Sequence, residues 1–316
     1  MKVSEFIKKA KKLGLRLGFM KFIGYEAIFS CAFKKAGSDE PYAVLPHSGK
    51  YWYADPLIIS HDGREIVFME RVDRETGIGA IVYSDITDGT WHEPVAVIEE
   101  KFHMSFPMCF EWNGSLYMIP ETEMDNAINL YRCASFPDKW EKCGRFLDGM
   151  KLVDTVVFEA SDDEITFLSS EYLPEIDFYT RFRKFKLKKS SSDGTPADAC
   201  TNAELEATDL GLVSEQYTLQ SRMAGYPLGA ERALSIGGSA DSTPGEVIYP
   251  VQRSTSGVYG YSVMFREGDP ESGEIKKEML PNKVNTDCKR RLIGVHTYSR
   301  SDKYEVIDVQ YLAKKI

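Results

Sequence analysis

The chain repeats itself about every fifty residues, and this repeat constrains the fold more than any other feature. Ala54-Asp55-Pro56-Leu57-Ile58-Ile59 is followed by the turn His61-Asp62-Gly63 and then by Ile66-Val67-Phe68-Met69-Glu70. Phe106-Pro107-Met108-Cys109-Phe110, the turn Trp112-Asn113-Gly114 and Leu116-Tyr117-Met118-Ile119-Pro120-Glu121 repeat the pattern. Val153-Asp154-Thr155-Val156-Val157-Phe158, Ser161-Asp162-Asp163 and Ile165-Thr166-Phe167-Leu168 repeat it again. Each unit reads as an apolar strand, a tight turn and a second strand. Gly79-Ala80-Ile81-Val82-Tyr83 and Ile128-Asn129-Leu130-Tyr131-Arg132 supply third strands, and tryptophan elements at Trp91 and Trp140 supply fourth ones. Asp55 to Pro107 is 52 residues and Pro107 to Asp154 is 47, the period of a propeller blade. Two looser units, one from Arg222 through Gln252 and one from Gly294 through Asp308, bring the number of blades to five.

The fold class expected is therefore all-β, a five-bladed β-propeller over residues 25–316, preceded by a short amphipathic helix within residues 1–24. A propeller removes its open sheet edge by pairing strands from the two termini. Residues 27–33, Ala-Ile-Phe-Ser-Cys-Ala-Phe, are the candidate closing strand. Residues 188–207 are rich in Ser, Asp, Thr and Ala and read as a surface loop inside the third blade.

In the first segment, Phe6, Ile7, Ala10, Leu13 and Leu17 fall on one helical face, with Lys8, Lys9, Lys11, Lys12 and Arg16 opposite. Residues 1–35 hold nine basic and two acidic side chains in a chain whose net charge is −9, so the acidic excess lies entirely in the propeller. Three readings stand: a foot on an anionic membrane surface, a helix packed on the propeller with its basic side in water, or a cleaved signal peptide, whose apolar region Arg16 and Lys21 interrupt. The acidic body argues against nucleic acid as a partner. Six cysteines without CxxC pairs, no 18-residue apolar run and no h-region free of charge lead to the expectation of a reduced, cytoplasmic protein, peripheral at the inner membrane face if the helix binds lipid. No cofactor is expected. GxGxxG after a strand, GxxxxGK[ST], GxSxG and HExxH are all missing from the sequence.

The innermost strands of a propeller converge on its channel, so residues at their starts point into one opening. Asp55, Asp154, Arg222 and His296 hold such positions. Glu70, Glu121 and Gln252 end the neighbouring strands, and Tyr298 follows His296. For each, a structural reading stands beside the functional one. The acids can bind amides between blades, Arg222 can be their salt-bridge partner or a clamp on an anionic sugar, and His296 can be a satisfied buried histidine. Trp52, Tyr53, Phe106 and Tyr298 are candidate sugar-stacking rings or core residues.

Tyr-Ala-Asp-Pro at 53–56, Ser-Phe-Pro at 105–107, Ile-Pro-Glu-Thr at 119–122, Val-Asp-Thr at 153–155, Tyr-Pro-Val-Gln at 249–252, Tyr-Gly at 259–260, His-Thr-Tyr at 296–298 and Glu-Val-Ile-Asp at 305–308 occur in order. This ordered set, over roughly residues 40–310, resembles the N-terminal domain family of glucosamine inositolphosphorylceramide transferase. The resemblance implies a five-bladed propeller related to arabinanase-type and fructosidase-type glycosidases. In the plant transferase the glycosyltransferase is a separate C-terminal domain, so the name implies no such activity for this propeller. By position the resemblance makes Asp55 the base and Asp154 the residue that tunes the acid. Glu121 is the third catalytic candidate, and Glu70, Arg222, Gln252, His296 and Tyr298 are substrate-binding candidates. The fourth blade departs from the pattern. It opens on Arg222 where a general acid is expected, and Arg253 replaces an expected acid. The function expected is carbohydrate handling in the synthesis of a cell-surface glycan, with a sugar, glycolipid or nucleotide sugar as ligand and glycosyl transfer as its possible chemistry. The alternatives are a glycoside hydrolase of the arabinanase or fructosidase type and a non-catalytic scaffold.

Overall fold

The computed structural model describes residues 24–46, 49–172, 180–189, 205–213, 222–229, 247–255 and 258–315. They form five four-stranded antiparallel sheets, the blades of a propeller. The first blade runs outward through β3 (Tyr51–His61), β4 (Arg64–Asp73), β5 (Gly79–Asp85) and β6 (Val95–Ile98), which follow the closing strands β1 (Tyr25–Lys35) and β2 (Ala43–Val44). The second holds β7 (Ser105–Trp112), β8 (Ser115–Glu121), β9 (Ile128–Ser135) and β10 (Lys139–Phe146). The third holds β11 (Leu152–Ala160), β12 (Glu164–Tyr172), β13 (Thr180–Lys189) and β14 (Leu205–Leu212). The fourth holds β15 (Arg222–Met223), β16 (Ile248–Thr255), β17 (Val258–Glu267) and β18 (Glu274–Met279). The fifth begins with β19 (Tyr298–Arg300) and β20 (Tyr304–Lys314), then takes β1 and β2 from the other end of the chain.

Ring closure is long and in register. β1 pairs with β20 over eleven positions, from Tyr25↔Lys314 to Lys35↔Tyr304, and buries Ile28, Cys31, Ala32 and Phe33. The expected closing strand is thus the third strand of its blade.

The hairpins follow local turn chemistry. Asp62-Gly63 and Asn113-Gly114 are two-residue loops between His61↔Arg64 and Trp112↔Ser115, with φ of 50°, 75°, 52° and 70°. Positive φ at both positions is the twist-matched hairpin turn that Asp-Gly and Asn-Gly favour. Neighbouring blades are stitched at this end, where Trp112 Nε1 donates to the Ser161 carbonyl at 2.8 Å. At the seam, Trp91 Nε1 donates to the Ala43 carbonyl at 2.9 Å. Trp91 is therefore a tether to the closing blade rather than part of a fourth strand, which is Val95–Ile98; Trp140 does lie on β10.

Apolar residues of facing blades interlock in one large cluster through blades one to four and two smaller ones at the seam. The expected loop at 188–207 is strand at both ends, through Lys189 and from Leu205, and its remainder lies outside the described residues. The expected amphipathic helix likewise lies outside them.

Candidate functional site at the channel mouth

The same irregularity recurs where three innermost strands begin. In the first blade the register passes from Ala54↔Glu70 to Leu57↔Phe68, so Asp55 and Pro56 together face Met69. In the second it passes from Ser105↔Glu121 to Met108↔Ile119, and in the third from Val153↔Ser170 to Val156↔Leu168. These are β-bulges, with two residues opposed to one. The first bulged residue is left-handed each time, with φ of 50° at Asp55, 44° at Phe106 and 50° at Asp154. A non-glycine residue held there costs on the order of 1 kcal/mol, so the surrounding contacts must favour it. The bulge turns Asp55 and Asp154 out of the pleat, while the antiparallel register places Glu70 and Glu121 beside the same strand starts.

Two clusters result. In one, Arg222 from β15 makes a two-pronged bond to Asp154, through Nε to Oδ2 and through Nη2 to Oδ1 at 3.1 Å. Its Nη2 also reaches Glu121 Oε2 at 3.5 Å, and its guanidinium lies 5.3 Å from the centre of the Tyr259 ring. In the other, His296 Nδ1 meets Asp308 Oδ2 at 2.5 Å and Nε2 lies 3.7 Å from Asp55 Oδ1. Thr297 Oγ1 donates to that same Asp55 oxygen at 2.9 Å. The His296 ring stacks on Phe29 at 4.4 Å and meets the edge of Tyr259 at 5.4 Å, so Tyr259 touches both clusters. A third pair stands beside them, with His103 Nε2 at 2.9 Å from Glu70 Oε1.

The electrostatics are those of crowded carboxyls. Burial pushes Glu121 up to about 8, and Asp154 and Asp55 add to the rise against the pull of Arg222. Burial likewise lifts Asp55 to about 7, opposed by His296 and reinforced by Glu70, Asp308 and Asp154. Burial alone would lower His296, but the Asp308 carboxylate outweighs it and holds the imidazole at about 9. Glu70 does the same for His103, also at about 9 against the effect of burial.

The structure thus brings Asp55, Glu70, Glu121, Asp154, Arg222 and His296 together where the innermost strands converge. Gln252 pairs in register with Arg222, but its side chain is buried and reaches Ser254 Oγ at 3.4 Å rather than the carboxyls. Tyr298 does not join the group. It is buried against Phe265, ring edge to ring face at 5.0 Å, because the strand has already entered the core. Tyr53 and Phe106 are buried as well, and the half-buried Trp52 packs on Phe29; the ring that touches both clusters is instead Tyr259. Arg253 is bound within its own blade to Glu278 at 2.8 Å. Sequence reasoning missed His103, Asp308 as a site residue, and Tyr259. Asp308 and Tyr259 lay inside quoted motifs, whereas a histidine in the loop before β7 carries no local signal.

Asp55, His296 and Asp308 present ligand atoms within 4.8 Å of one another, the spacing of a metal site. Asp308 and His296 Nδ1 are already spent on each other and on the backbone, which leaves an oxygen of Asp55 as the open donor of the three. Asp308 accepts four N–H groups, and His296 Nδ1 is turned onto it.

Residues 44–192 match the family model described as glucosamine inositolphosphorylceramide transferase 1, N-terminal. The resemblance carried by the motifs therefore holds. The transferase of this name from Arabidopsis thaliana is 32% identical over 108 residues, covering 33% of this chain and 14% of its own. Its counterpart from Oryza sativa subsp. indica is 26% identical over 279 residues, covering 85% of this chain and 33% of its own. The chain thus spans a third or less of these relatives. Among solved structures, the catalytic domain of the Coprinopsis cinerea GH62 α-L-arabinofuranosidase superposes with a TM-score of 0.51 at 12% identity, covering 89% of this chain and 97% of its own. The α-L-arabinofuranosidase PaAbf62A from Podospora anserina gives 0.50 at 11% identity, covering 91% and 98%. At such identities the likeness is one of fold.

Proposed function

We propose that this propeller, whose residues 44–192 match the glucosamine inositolphosphorylceramide transferase N-terminal family, binds a neutral or amino sugar at its channel mouth in the course of glycan assembly. One observation carries the reading. Five carboxyls (Asp55, Glu70, Glu121, Asp154 and Asp308) surround three basic side chains, and each of those is already committed: Arg222 to Asp154, His103 to Glu70, His296 to Asp308. A hydroxyl-rich ligand finds acceptors here, and an ammonium finds the Asp55 carboxyl, partly ionised at neutral pH with its value at about 7. Among the described residues a phosphate or uronate finds no free cation, which speaks against both the clamp reading of Arg222 and a nucleotide sugar in this pocket.

Calorimetry with glucosamine, N-acetylglucosamine, glucuronate and UDP-N-acetylglucosamine tests the reading. Glucosamine is expected to bind at least about tenfold more tightly than glucuronate, a difference of about 1.4 kcal/mol. Tighter binding of the nucleotide sugar would overturn the proposal.

A second reading, glycoside hydrolysis, draws support from Glu121, a carboxyl held protonated near neutrality beside Asp154 and so able to donate a proton. Against it, Arg222 occupies Asp154 on both oxygens and no acid comes from the start of the fourth blade. Aryl arabinosides, xylosides and fructosides are expected to remain uncleaved. Robust turnover that vanishes in Asp55→Asn would establish hydrolysis instead.

The same proposal extends to the basic segment, whose role is at an anionic membrane surface on the cytoplasmic side. Deleting residues 1–20 is expected to leave the melting temperature nearly unchanged and to reduce sedimentation with phosphatidylserine vesicles. A large fall in melting temperature with unchanged sedimentation would show a packing role.

A further inference from the structure

We propose that Asp308 is the positioning residue of this mouth: from the middle of the closing blade it sets the backbone of Asp55 and the ring of His296, so that one oxygen of Asp55 faces the ligand. The inference rests on the saccharide reading for what the oxygen meets, and on geometry alone for the positioning.

Asp308 lies on β20 opposite Cys31 of β1 and is fully buried. Its Oδ1 accepts the backbone N–H groups of His296 and Thr297, both at 3.0 Å. Its Oδ2 accepts the backbone N–H of Asp55 at 3.1 Å and faces His296 Nδ1 at 2.5 Å. Four donors saturate a carboxylate, so Asp308 has nothing left to offer a ligand.

Its bonds act on residues that do face the mouth. The N–H of Asp55 belongs to the left-handed bulge, and holding it opposes the cost of that conformation. The bond to Nδ1 puts the remaining His296 N–H on Nε2, toward Asp55 Oδ1. Phe29 and Tyr259 hold the ring between them, and Gly260 lacks the Cβ that would stand 2.6 Å from the His296 Cβ. With Thr297 Oγ1 and His296 both on Oδ1, Asp55 Oδ2 has no partner among the described residues. That oxygen is the one assigned to a sugar hydroxyl or ammonium.

The charged and titratable groups around His296 are Asp308 from β20, Asp55 from β3, Asp154 from β11 and Tyr259 from β17. Among the described residues, only Asp308 touches Nδ1 at hydrogen-bond distance with a charge. Replacing it with asparagine puts an amide where Nδ1–H and the Asp55 N–H need an acceptor. His296 then loses its proton at lower pH, and Asp55 loses the cation that draws its carboxyl down.

The test uses the full chain labelled with 15N-histidine, whose five histidines give a sparse spectrum. In the wild type, His296 is expected to remain an imidazolium at pH 8; a neutral His296 at pH 7 would overturn the proposal without any variant. In Asp308→Asn its midpoint should fall by at least one pH unit, and glucosamine affinity should drop about tenfold or more. Glu65→Gln is the control, since Glu65 is equally buried but bonds Ser60 and Ser301 at the opposite end of the strands. It should lower the melting temperature without moving His296 or the affinity. If Asp308→Asn costs stability yet leaves the His296 titration as in the wild type, Asp308 is merely structural. If the titration shifts but the wild type binds no glucosamine, the positioning stands and the saccharide reading fails.

Discussion

Arg222→Met is expected to lower folding stability at pH 8 by about 3–5 kcal/mol, among the largest effects a single side chain here can have. The substitution leaves two carboxyls, the buried Asp154 and the half-buried Glu121, without the guanidinium that both face. The loss should depend on pH in a definite direction. Glu121 has a folded value near 8, above its ordinary 4.5, so the stability it contributes is full below the ordinary value and disappears as pH rises through about 8. Asp55, at about 7, behaves alike. Removing Arg222 removes a cation that draws Glu121 downward, which widens its gap. The deficit relative to the wild type should therefore shrink when denaturant unfolding is repeated at pH 5.5. Arg222→Lys keeps the charge but not the two-pronged geometry and should fall between the two. A deficit below about 1 kcal/mol at pH 8, or one independent of pH, would mean that the clamp carries little energy.

Deleting residues 1–36 should abolish folding altogether, in contrast to the short deletion of residues 1–20. The longer cut removes β1 and with it eleven paired positions along β20, Phe29 under the His296 ring, and the buried side chains Ile28, Cys31, Ala32 and Phe33. At about 1.5–3 kcal/mol for each large apolar side chain, the loss approaches the whole stability of a typical domain of about 5–15 kcal/mol. The exposed β20 edge would also invite aggregation. Far-UV circular dichroism and size-exclusion chromatography report the outcome. A synthetic peptide of residues 24–36 added during refolding should restore part of the folded protein. A truncated chain that still unfolds cooperatively would show that closure by β1 is dispensable.

Much of this architecture is legible without coordinates because its determinants are local. Alternating and continuous apolar runs mark strands, and Asp62-Gly63 and Asn113-Gly114 define hairpins by their own backbone preferences. The closing strand at 27–33 is legible because a propeller requires one and the segment is apolar. The site is legible only in outline. Asp55 and Asp154 lie at matching bulges of β3 and β11, but the matching residue of β7, Phe106, shares their backbone conformation and carries no acid. Tyr298 follows the same strand start as His296 and belongs to the core. His103 enters from a loop, and Asp308 from mid-strand, where an acid in an apolar run reads simply as an anomaly.

The amino-acid sequence by itself determined that the chain forms repeated four-stranded units and which residues start and end their inner strands, since periodicity and turn chemistry act over a few positions. Which of those residues share one electrostatic environment was decided by the tertiary structure alone. Asp308 stands 253 positions from Asp55 in the chain, and Arg222 stands 68 from Asp154. The first pair meets because ring closure brings the two ends of the chain into one blade, the second because blades three and four are neighbours, and in both a bulge, in β3 or β11, turns the acid toward its partner.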